Sequence, residues 1–566
     1  MRIIAYLCSP RIGHIVLPAS LLIKRNTTNL HRMTKFIFVT GGVASSLGKG
    51  ILAASLGKLL QARGFKVTNQ KMDPYVNVDS GTLNPYEHGE CYVTVDGHEC
   101  DLDLGHYERF LNVQLHKCNN ITTGRIYRNV IERERRGDFL GKTVQVIPHI
   151  TDEIKRNVKA IAASDNYDFV ITEIGGTVGD IESLPYIESV RQLKWELGND
   201  CLCIHLTYVP FLAAAHELKT KPTQHSVKAL QQEGVQPDII ILRTEHEISQ
   251  EMKRKVALFC NVDADSVMQS VDASTIYRVP LNMQAEKLDE VVLRKTGFDL
   301  NNVPQADMKD WNNFLHKLES ATEEVHITLV GKYVQLQDAY KSIRESLTHA
   351  AAYNHRKLIL NTVLSDTLTE ENVKEQLSGQ DGIVVCPGFG NRGVEGKLVA
   401  LRYARENNIP CLGICMGMQA MAIEFARDVL GYADANSTEF NELTTHNVVD
   451  MMEEQKALLD KGGTLRLGAY PCSLKEGTMA YDIYKEPLIY ERHRHRYEFN
   501  NRYREEFEAA GMVCSGLNQE SDLVEIIELP SHPFYIGVQF HPEYSSTVLH
   551  PHPLFVRFVA AAIAKK

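Results

Sequence analysis

The sequence has no apolar run that approaches the roughly 20 consecutive residues needed to span a bilayer, so no membrane association is expected. Its 12 cysteines include no Cys-x-x-Cys pair. That removes the usual zinc spacing and leaves reduced thiols of a cytoplasmic protein as the simplest account. A positive charge excess is also missing: 61 Lys and Arg against 71 Asp and Glu give a net charge of −10, which argues against a nucleic-acid footprint. Internal repeats and low-complexity tracts are absent, which disfavours a solenoid. Residues 1–32 contain no Asp or Glu, while Arg2, Arg11, Lys24, Arg25 and Arg32 make them basic. They read as a disordered extension or an upstream start, with a targeting peptide as the alternative. Pro10, Arg11, Gly13, His14 and Pro18 interrupt their apolar stretch and suit a signal sequence poorly.

What is present is an ordinary globular composition, 44% hydrophobic and 23% charged, in a chain of 566 residues. That length exceeds one core and implies at least two domains. Two blocks begin alike, with a short apolar run, a glycine-bearing loop and a helical pattern, at Phe36-Ile37-Phe38-Val39 and at Ile327-Thr328-Leu329-Val330. Further apolar runs at 169–171, 202–204, 239–242, 383–385 and 535–538 read as buried strands of layered α/β domains with mainly parallel sheets. The reading is an extension over 1–32, a first domain over 33–300, a polar linker over 301–324 and a second domain over 325–566.

The run from Phe36 to Gly50 has the order strand, small-residue loop, helix start. Such a loop lets backbone N–H groups approach phosphate oxygens at a helix N-terminus, and Lys49 can neutralise the β- and γ-phosphates. It departs from the common phosphate-loop pattern: five residues separate Gly42 from Gly48, and Gly50 stands where a Ser or Thr is usual. Without that hydroxyl, magnesium needs other oxygens; Asp101, Asp103 and Glu173 are the candidates. Lys219-Thr220-Lys221-Pro222-Thr223-Gln224 is a second anion-binding candidate, although most such runs are solvated surface.

A different chemistry is written near residue 415. Pro410-Cys411-Leu412-Gly413-Ile414-Cys415-Met416-Gly417-Met418-Gln419 reads as a strand, a glycine-bounded elbow and a helix, which is the setting of an activated nucleophile. Tyr535 to Glu543 ends a strand with His541-Pro542-Glu543, giving a base and a group to orient it. The loop Cys386-Pro387-Gly388-Phe389-Gly390 follows another strand. Pro387 has no N–H, so Gly388 is the expected oxyanion donor there, with Met416 supplying the other.

These motifs, in this order, resemble the CTP synthase family: a P-loop-type, mainly parallel amidoligase domain followed by a class I glutamine amidotransferase α/β domain. The resemblance covers residues 33–563 and rests also on Asp101 to Phe110, Thr122 to Tyr127, Glu173 to Glu182 and Glu491 to Glu498. It implies that ATP phosphorylates O4 of UTP and that ammonia then displaces phosphate to give CTP. On it, Ser45, Ser46, Leu47, Gly48, Lys49, Gly50, Lys71 and Asp103 serve ATP, with Mg2+ at Asp103 and Glu173. Ser45, Asp180, Ile181, Glu182, Lys219, Thr220, Lys221, Pro222, Thr223, Gln224 and Lys255 hold UTP, and CTP as inhibitor. Glutamine would meet Gly388, Met416, Gly417, Met418, Gln419, Glu439 and Arg496, with Cys415, His541 and Glu543 as catalytic residues. Ammonia is accepted in place of glutamine, GTP activates near Arg392-Gly393-Val394-Glu395-Gly396, and Asn84 to Glu90 resembles an ammonia gate. A homotetramer able to stack into filaments is implied. Pro387 departs from the family's Pro-Gly-Gly-Phe-Gly loop, and Asn447 to Lys461 diverges from it.

Competing readings are weaker. A cobyrinate-type amidase shares the two chemistries, but Lys219 to Gln224 favours UTP. A catalytically dead scaffold would not need intact Lys49, Asp103, Glu173, Cys415, His541 and Glu543. A nucleic-acid reading of Glu491 to Arg496 meets interleaved glutamates and an acidic chain.

Overall fold

Seven strands, buried over most of their length, form the first sheet. In chain order they are β1 (Lys35–Gly41), β2 (Val67–Asp73), β3 (Asn120–Thr122), β4 (Phe169–Ile174), β5 (Cys201–Tyr208), β6 (Ile239–Thr244) and β7 (Val267–Val271). Their spatial order is β7-β6-β5-β1-β4-β2-β3, and every pairing is parallel. Parallel strands covered on both faces need continuous apolar runs, which is why β1 reads Phe-Ile-Phe-Val and is buried there. The chain leaves β1 toward β2 on one side and later returns to β5 on the other. The crevice at the carboxyl end of β1 is therefore where a ligand is expected. The computed structural model describes residues 33–451 and 465–565. The basic extension 1–32 and the later part of the divergent segment, residues 452–461, lie outside the described residues.

Three helices bring residues close to the end of β1: α1 (Lys49–Ala62), α2 (Asp103–Leu111) and α3 (Lys221–Gln232). The stretch expected to be a linker holds a fourth, α4 (Lys309–Ser320). It is no free tether: Trp311 and Phe314 join the first core, and the Trp311 indole donates to the Tyr277 carbonyl at 2.8 Å.

The second sheet has nine strands: β8 (Glu324–Gly331), β9 (Lys357–Leu364), β10 (Gly382–Val385), β11 (Cys411–Ile414), β12 (Arg466–Leu474), β13 (Leu488–His495), β14 (Val513–Asn518), β15 (Leu523–Glu528) and β16 (Tyr535–Val538). Their order is β9-β8-β10-β11-β16-β15-β14-β12-β13. The first five are parallel, but β15, β14, β12 and β13 continue antiparallel, so this sheet is mixed rather than mainly parallel. Helices α5 (Lys341–Tyr353), α6 (Val394–Glu406) and α7 (Met416–Asp428) pack against its parallel part.

From Thr34 onward the chain is one compact unit. The two halves meet closely at Gly97 and Gly468: a Cβ on Gly468 would lie 2.7 Å from the Gly97 nitrogen, and its φ of +92° already favours glycine. Beside them the Ala469 N–H donates to the Val95 carbonyl at 3.0 Å. Ion pairs Arg492–Glu108 and Arg494–Glu99, both 2.8 Å, cross the same boundary. Among the described residues no helix is long and apolar enough to cross a membrane.

Candidate active sites

The carboxyl end of β1 turns into the candidate phosphate loop through three residues at positive φ: Val43, Ser46 and Gly48. Only the last is a glycine, so the loop stores backbone strain of about 1–3 kcal/mol at each of the others. Gly42 is required by crowding, since a Cβ there would sit 1.8 Å from Ser226 Oγ on α3. Ser45 and Ser46 are exposed, Leu47 packs against the core, and Lys49 opens α1. The Lys49 ammonium donates to the Gly176 carbonyl at 2.8 Å; burial lowers its pKa, partly offset by Glu173.

Lys71, on β2, is the centre of the cluster. Its ammonium pairs with Asp103, with Glu173 at 3.0 Å and with Asp101 at 3.9 Å. Burial pulls its pKa down, but Asp103 and Glu173 outweigh burial and hold it well above the usual value. The acids divide. Burial pushes Asp103 up, yet Lys71 wins and brings it down to about 2. Glu173 is raised by burial and then by Asp103, and the Tyr107 hydroxyl donates to it. Asp101 and Asp73 are also raised, first by burial. Asp103 is the first residue of α2. The missing hydroxyl at position 50 is explained here: a Cβ on Gly50 would lie 2.0 Å from Asp103 Oδ1, so the carboxylate occupies the space of the absent side chain.

These donors fit magnesium. They are hard oxygens, and Asp103 and Glu173 share one lysine while further acids crowd them, an excess of negative charge that a cation relieves. Among the described residues no group of three or more side chains is gathered to hold a metal alone. Magnesium commonly takes one or two carboxylates and completes its shell with water and substrate phosphates.

The residues expected at the pyrimidine nucleotide do not join this cluster; no hydrogen bond or ion pair among the described residues ties them to it. Thr223 is buried, and its hydroxyl donates to the Tyr208 carbonyl at 3.2 Å, so it holds α3 to β5. The Gln224 amide donates to Thr220 at 3.2 Å. Lys219 pairs with Glu217, Pro222 lies in the first turn of α3, and Lys221 and Lys255 are exposed. Asp180, Ile181 and Glu182 are exposed as well, Ile181 by 80%.

In the second half, adjacency of β10, β11 and β16 explains the other site. The carboxyl ends of three neighbouring parallel strands deliver the Cys386–Gly390 loop, Cys415 and His541 to one place. Cys415 sits at φ 54°, ψ −106°, between β11 and α7, a strained elbow. The elbow closes because Gly417 has no side chain: a Cβ there would be 2.2 Å from the Val385 carbonyl oxygen. The Cys415 N–H donates to the Val538 carbonyl at 2.7 Å, and Gln539 Nε2 lies 3.8 Å from its sulfur.

His541 Nδ1 is 2.8 Å from Glu543 Oε1, while its Nε2 is buried with no hydrogen-bond partner. Burial would lower its pKa, but Glu543 and the neighbouring Cys415 raise it to about 10. The imidazole is thus poised to hold a proton beside the thiol. Met416, Gly417, Met418 and Gln419 are buried in the first turn of α7, and the Gln419 amide is taken by the Tyr497 carbonyl at 2.9 Å. Glu439 Oε1 accepts the Gly390 N–H at 2.6 Å, and Arg496 lines the cavity with Gly388.

The Pro387 loop is held from beneath. The Tyr340 hydroxyl donates to the Pro387 carbonyl at 3.2 Å, and Lys332 donates to the carbonyls of Phe389, at 2.5 Å, and Gly390. Lys397, fully buried, donates to the Cys386 carbonyl at 2.7 Å. Burial lowers Lys332 to about 8 and Lys397 to about 7. Neither lysine, nor Asp73 in the first site, stands out in the sequence; Lys332 lies 57 residues before Phe389, whose carbonyl it holds.

A cavity of about 280 Å³ contains Cys415, His541 and Glu543. Its wall continues into the first half through Gly81, Thr82, Leu83, Pro85, Glu90 and Cys91. The turn Pro85–His88 is fastened across the boundary, the Tyr86 hydroxyl donating to the Lys332 carbonyl at 2.6 Å.

Residues 35–298 match the family described as CTP synthase N-terminus, and residues 335–561 match glutamine amidotransferase class-I. A CTP synthase of Bacteroides fragilis is 68% identical over 94% of this chain and 99% of that protein. One of Porphyromonas gingivalis is 65% identical over 94% of this chain and 98% of that protein. The solved glutaminase domain of Trypanosoma brucei CTPS, with bound acivicin, is 42% identical, covering 43% of this chain and 94% of that one with a TM-score of 0.40.

Proposed function

This chain belongs to the CTP synthase family, and on that premise we propose how its residues divide the work. The enzyme makes CTP from UTP, consuming ATP and glutamine. The observation that carries the division of labour is the cavity whose wall belongs to both halves and includes Cys415 and His541.

In the first half, ATP lies on the loop Ser45–Gly50, with Lys49 and Lys71 facing its phosphates. Its γ-phosphoryl group passes to O4 of UTP, breaking the bond to ADP and making a leaving group at C4. Ammonia adds at C4, loses one proton and expels phosphate, leaving the 4-amino group. Mg2+, when bound at Asp103 and Glu173, neutralises charge on the phosphates. Lys219–Gln224, Lys255 and Asp180–Glu182 bind UTP, and CTP competes for the same triphosphate position. Several of these side chains are exposed in the isolated chain, which agrees with a site completed in a homotetramer.

In the second half, the Cys415 sulfur adds to the glutamine carboxamide. His541 receives the thiol proton and returns it to the departing ammonia, and water then releases glutamate from the thioester. Backbone N–H groups of Gly388 and Met416 face the oxyanion, where one such donor contributes ~10²–10³-fold in rate. Gly388, Met416–Gln419, Glu439 and Arg496 bind glutamine. The enclosed path matters because ammonia released to bulk water is protonated and lost. GTP binds near Arg392–Gly396 and activates: the Arg392 guanidinium stands 5.6 Å from the ring of Tyr333, which lines the cavity. A cytoplasmic homotetramer able to stack into filaments agrees with these roles.

The test is Cys415→Ala assayed with both nitrogen donors. Glutamine-dependent CTP formation is lost and ammonia-dependent formation is kept; equal loss of both in a folded variant refutes the two-site assignment.

A further inference from the structure

The imidazole of His541 is held by its own domain only in part. Its ring stacks on Tyr544, centroids 5.1 Å apart and planes 10° from parallel. Tyr544 in turn is gripped by the first half of the chain at both ends. Its hydroxyl donates to the Cys91 carbonyl at 3.0 Å, and its own carbonyl lies 3.0 Å from the Tyr92 hydroxyl. The Tyr92 and Tyr544 rings meet edge to face at 4.8 Å.

Tyr92 belongs to a closed, buried network. Its oxygen is 2.6 Å from Glu108 Oε2 and accepts from the Arg492 guanidinium at 3.1 Å. Arg492 also donates to Glu108 at 2.8 Å and to the Val93 carbonyl at 3.1 Å. Its backbone carbonyl accepts the His541 N–H at 2.7 Å. The catalytic imidazole is therefore fixed twice through groups anchored in the other half, once through its backbone and once through its ring.

We propose that Tyr544 is a positioning residue for His541 and that Tyr92, Glu108 and Arg492, acting across the boundary, hold it in place. The first half thereby sets the alignment of the glutaminase base, and the glutaminase centre is complete only when the halves are docked. A planar partner at fixed distance restricts rotation of the ring, whose Nε2 must meet both the thiol and the leaving nitrogen. A buried charge pair with shared hydrogen bonds is a stiff anchor, because breaking it strands a charge away from water. This rests on Cys415, His541 and Glu543 being the glutaminase centre, which the Cys415→Ala variant tests separately.

The experiment uses the full-length enzyme with Tyr92→Phe, Tyr544→Leu and Tyr544→Phe. Glutamine hydrolysis, ammonia-dependent CTP formation and the pH profile of hydrolysis are followed for each. Tyr92→Phe keeps its ring and removes only the shared hydroxyl; Tyr544→Leu removes the stack; Tyr544→Phe restores it. Tyr92→Phe and Tyr544→Leu are expected to lower kcat for glutamine hydrolysis about tenfold, short of the ~10²-fold effect of a 1 Å misplacement. The KM for glutamine stays within about twofold, the pH profile shifts, and Tyr544→Phe recovers most of the kcat lost in Tyr544→Leu. Ammonia-dependent CTP formation is unchanged in all three. Wild-type hydrolysis in Tyr92→Phe and Tyr544→Leu overturns the proposal. So does parallel loss of both reactions in Tyr92→Phe, since that marks general structural damage.

Discussion

Restoring the usual hydroxyl to the phosphate loop should disable the enzyme. At position 50 a Cβ would stand 2.0 Å from Asp103 Oδ1 and 2.7 Å from its Cγ, where ordinary contact begins at 3.4 Å. The Asp103 carboxylate must therefore move by more than 1 Å. It cannot swing freely, because Lys71 pairs with it and its own N–H is bonded to Asp101 Oδ1 at 3.0 Å. Gly50→Ser thus displaces the proposed magnesium and phosphate ligand in order to supply another. A 1 Å misplacement at a reacting centre costs ~10²-fold in rate, and overpacking adds ~1–3 kcal/mol of destabilisation. Steady-state CTP formation is expected to fall about 10²-fold with glutamine and with ammonia alike. Glutamine hydrolysis, which uses residues of the other half, stays within about twofold. Gly50→Ala behaves the same way, showing that the methylene and not the hydroxyl is at fault. Wild-type CTP formation by Gly50→Ser, in an enzyme confirmed to be folded, would refute the reasoning.

The Glu543→Gln variant separates charge from shape in the second site. The raised pKa of His541, about 10 in the fold against 6.5 ordinarily, means the folded state binds that proton more tightly. The stability it contributes is fully present below about pH 6.5 and is lost as pH rises toward 10. The gap in melting temperature between wild type and Glu543→Gln is therefore expected to be widest near pH 6 and to close by pH 10; a gap that grows with pH contradicts the assignment. Gly468→Ala strains a backbone at φ +92° and drives a methyl into Gly97 of the other half. Strain and overpacking together cost about 2–6 kcal/mol, read as a lowered melting temperature. An unchanged melting temperature would show that the two backbones can part without cost.

Much of the second site was legible because its residues are local. Cys415 ends an apolar run within one strand-and-elbow segment, and His541 and Glu543 are two residues apart at the end of another. The first site was legible in its loop and in the acids Asp101, Asp103 and Glu173, but not in how they meet around Lys71. Lys71 and Glu173 are 102 residues apart in sequence, and their contact arises because β2 and β4 are neighbours, a fact no local pattern states. The run Glu491 to Arg496, basic to the eye, is as far as His495 part of β13, whose faces alternate. Arg492 and Arg494 reach Glu108 and Glu99 across the boundary, while His493 and His495 pair with each other at 2.8 Å. Half of the polar linker is a helix, because Trp311 and Phe314 on one face found a core to enter.

The sequence by itself determined the two chemistries and most of the buried strands, since glycine spacing, apolar periodicity and the residue before a helix act over a few bonds. Tertiary structure decided what those local signals leave open: which acid fills the space at Gly50, which lysines brace the Pro387 loop, and which half of the chain steadies His541. Those depend on strand order and on the docking of separate segments, 384 residues apart in the case of Arg492 and Glu108. There, burial and charge pairing become strong only once the groups have met.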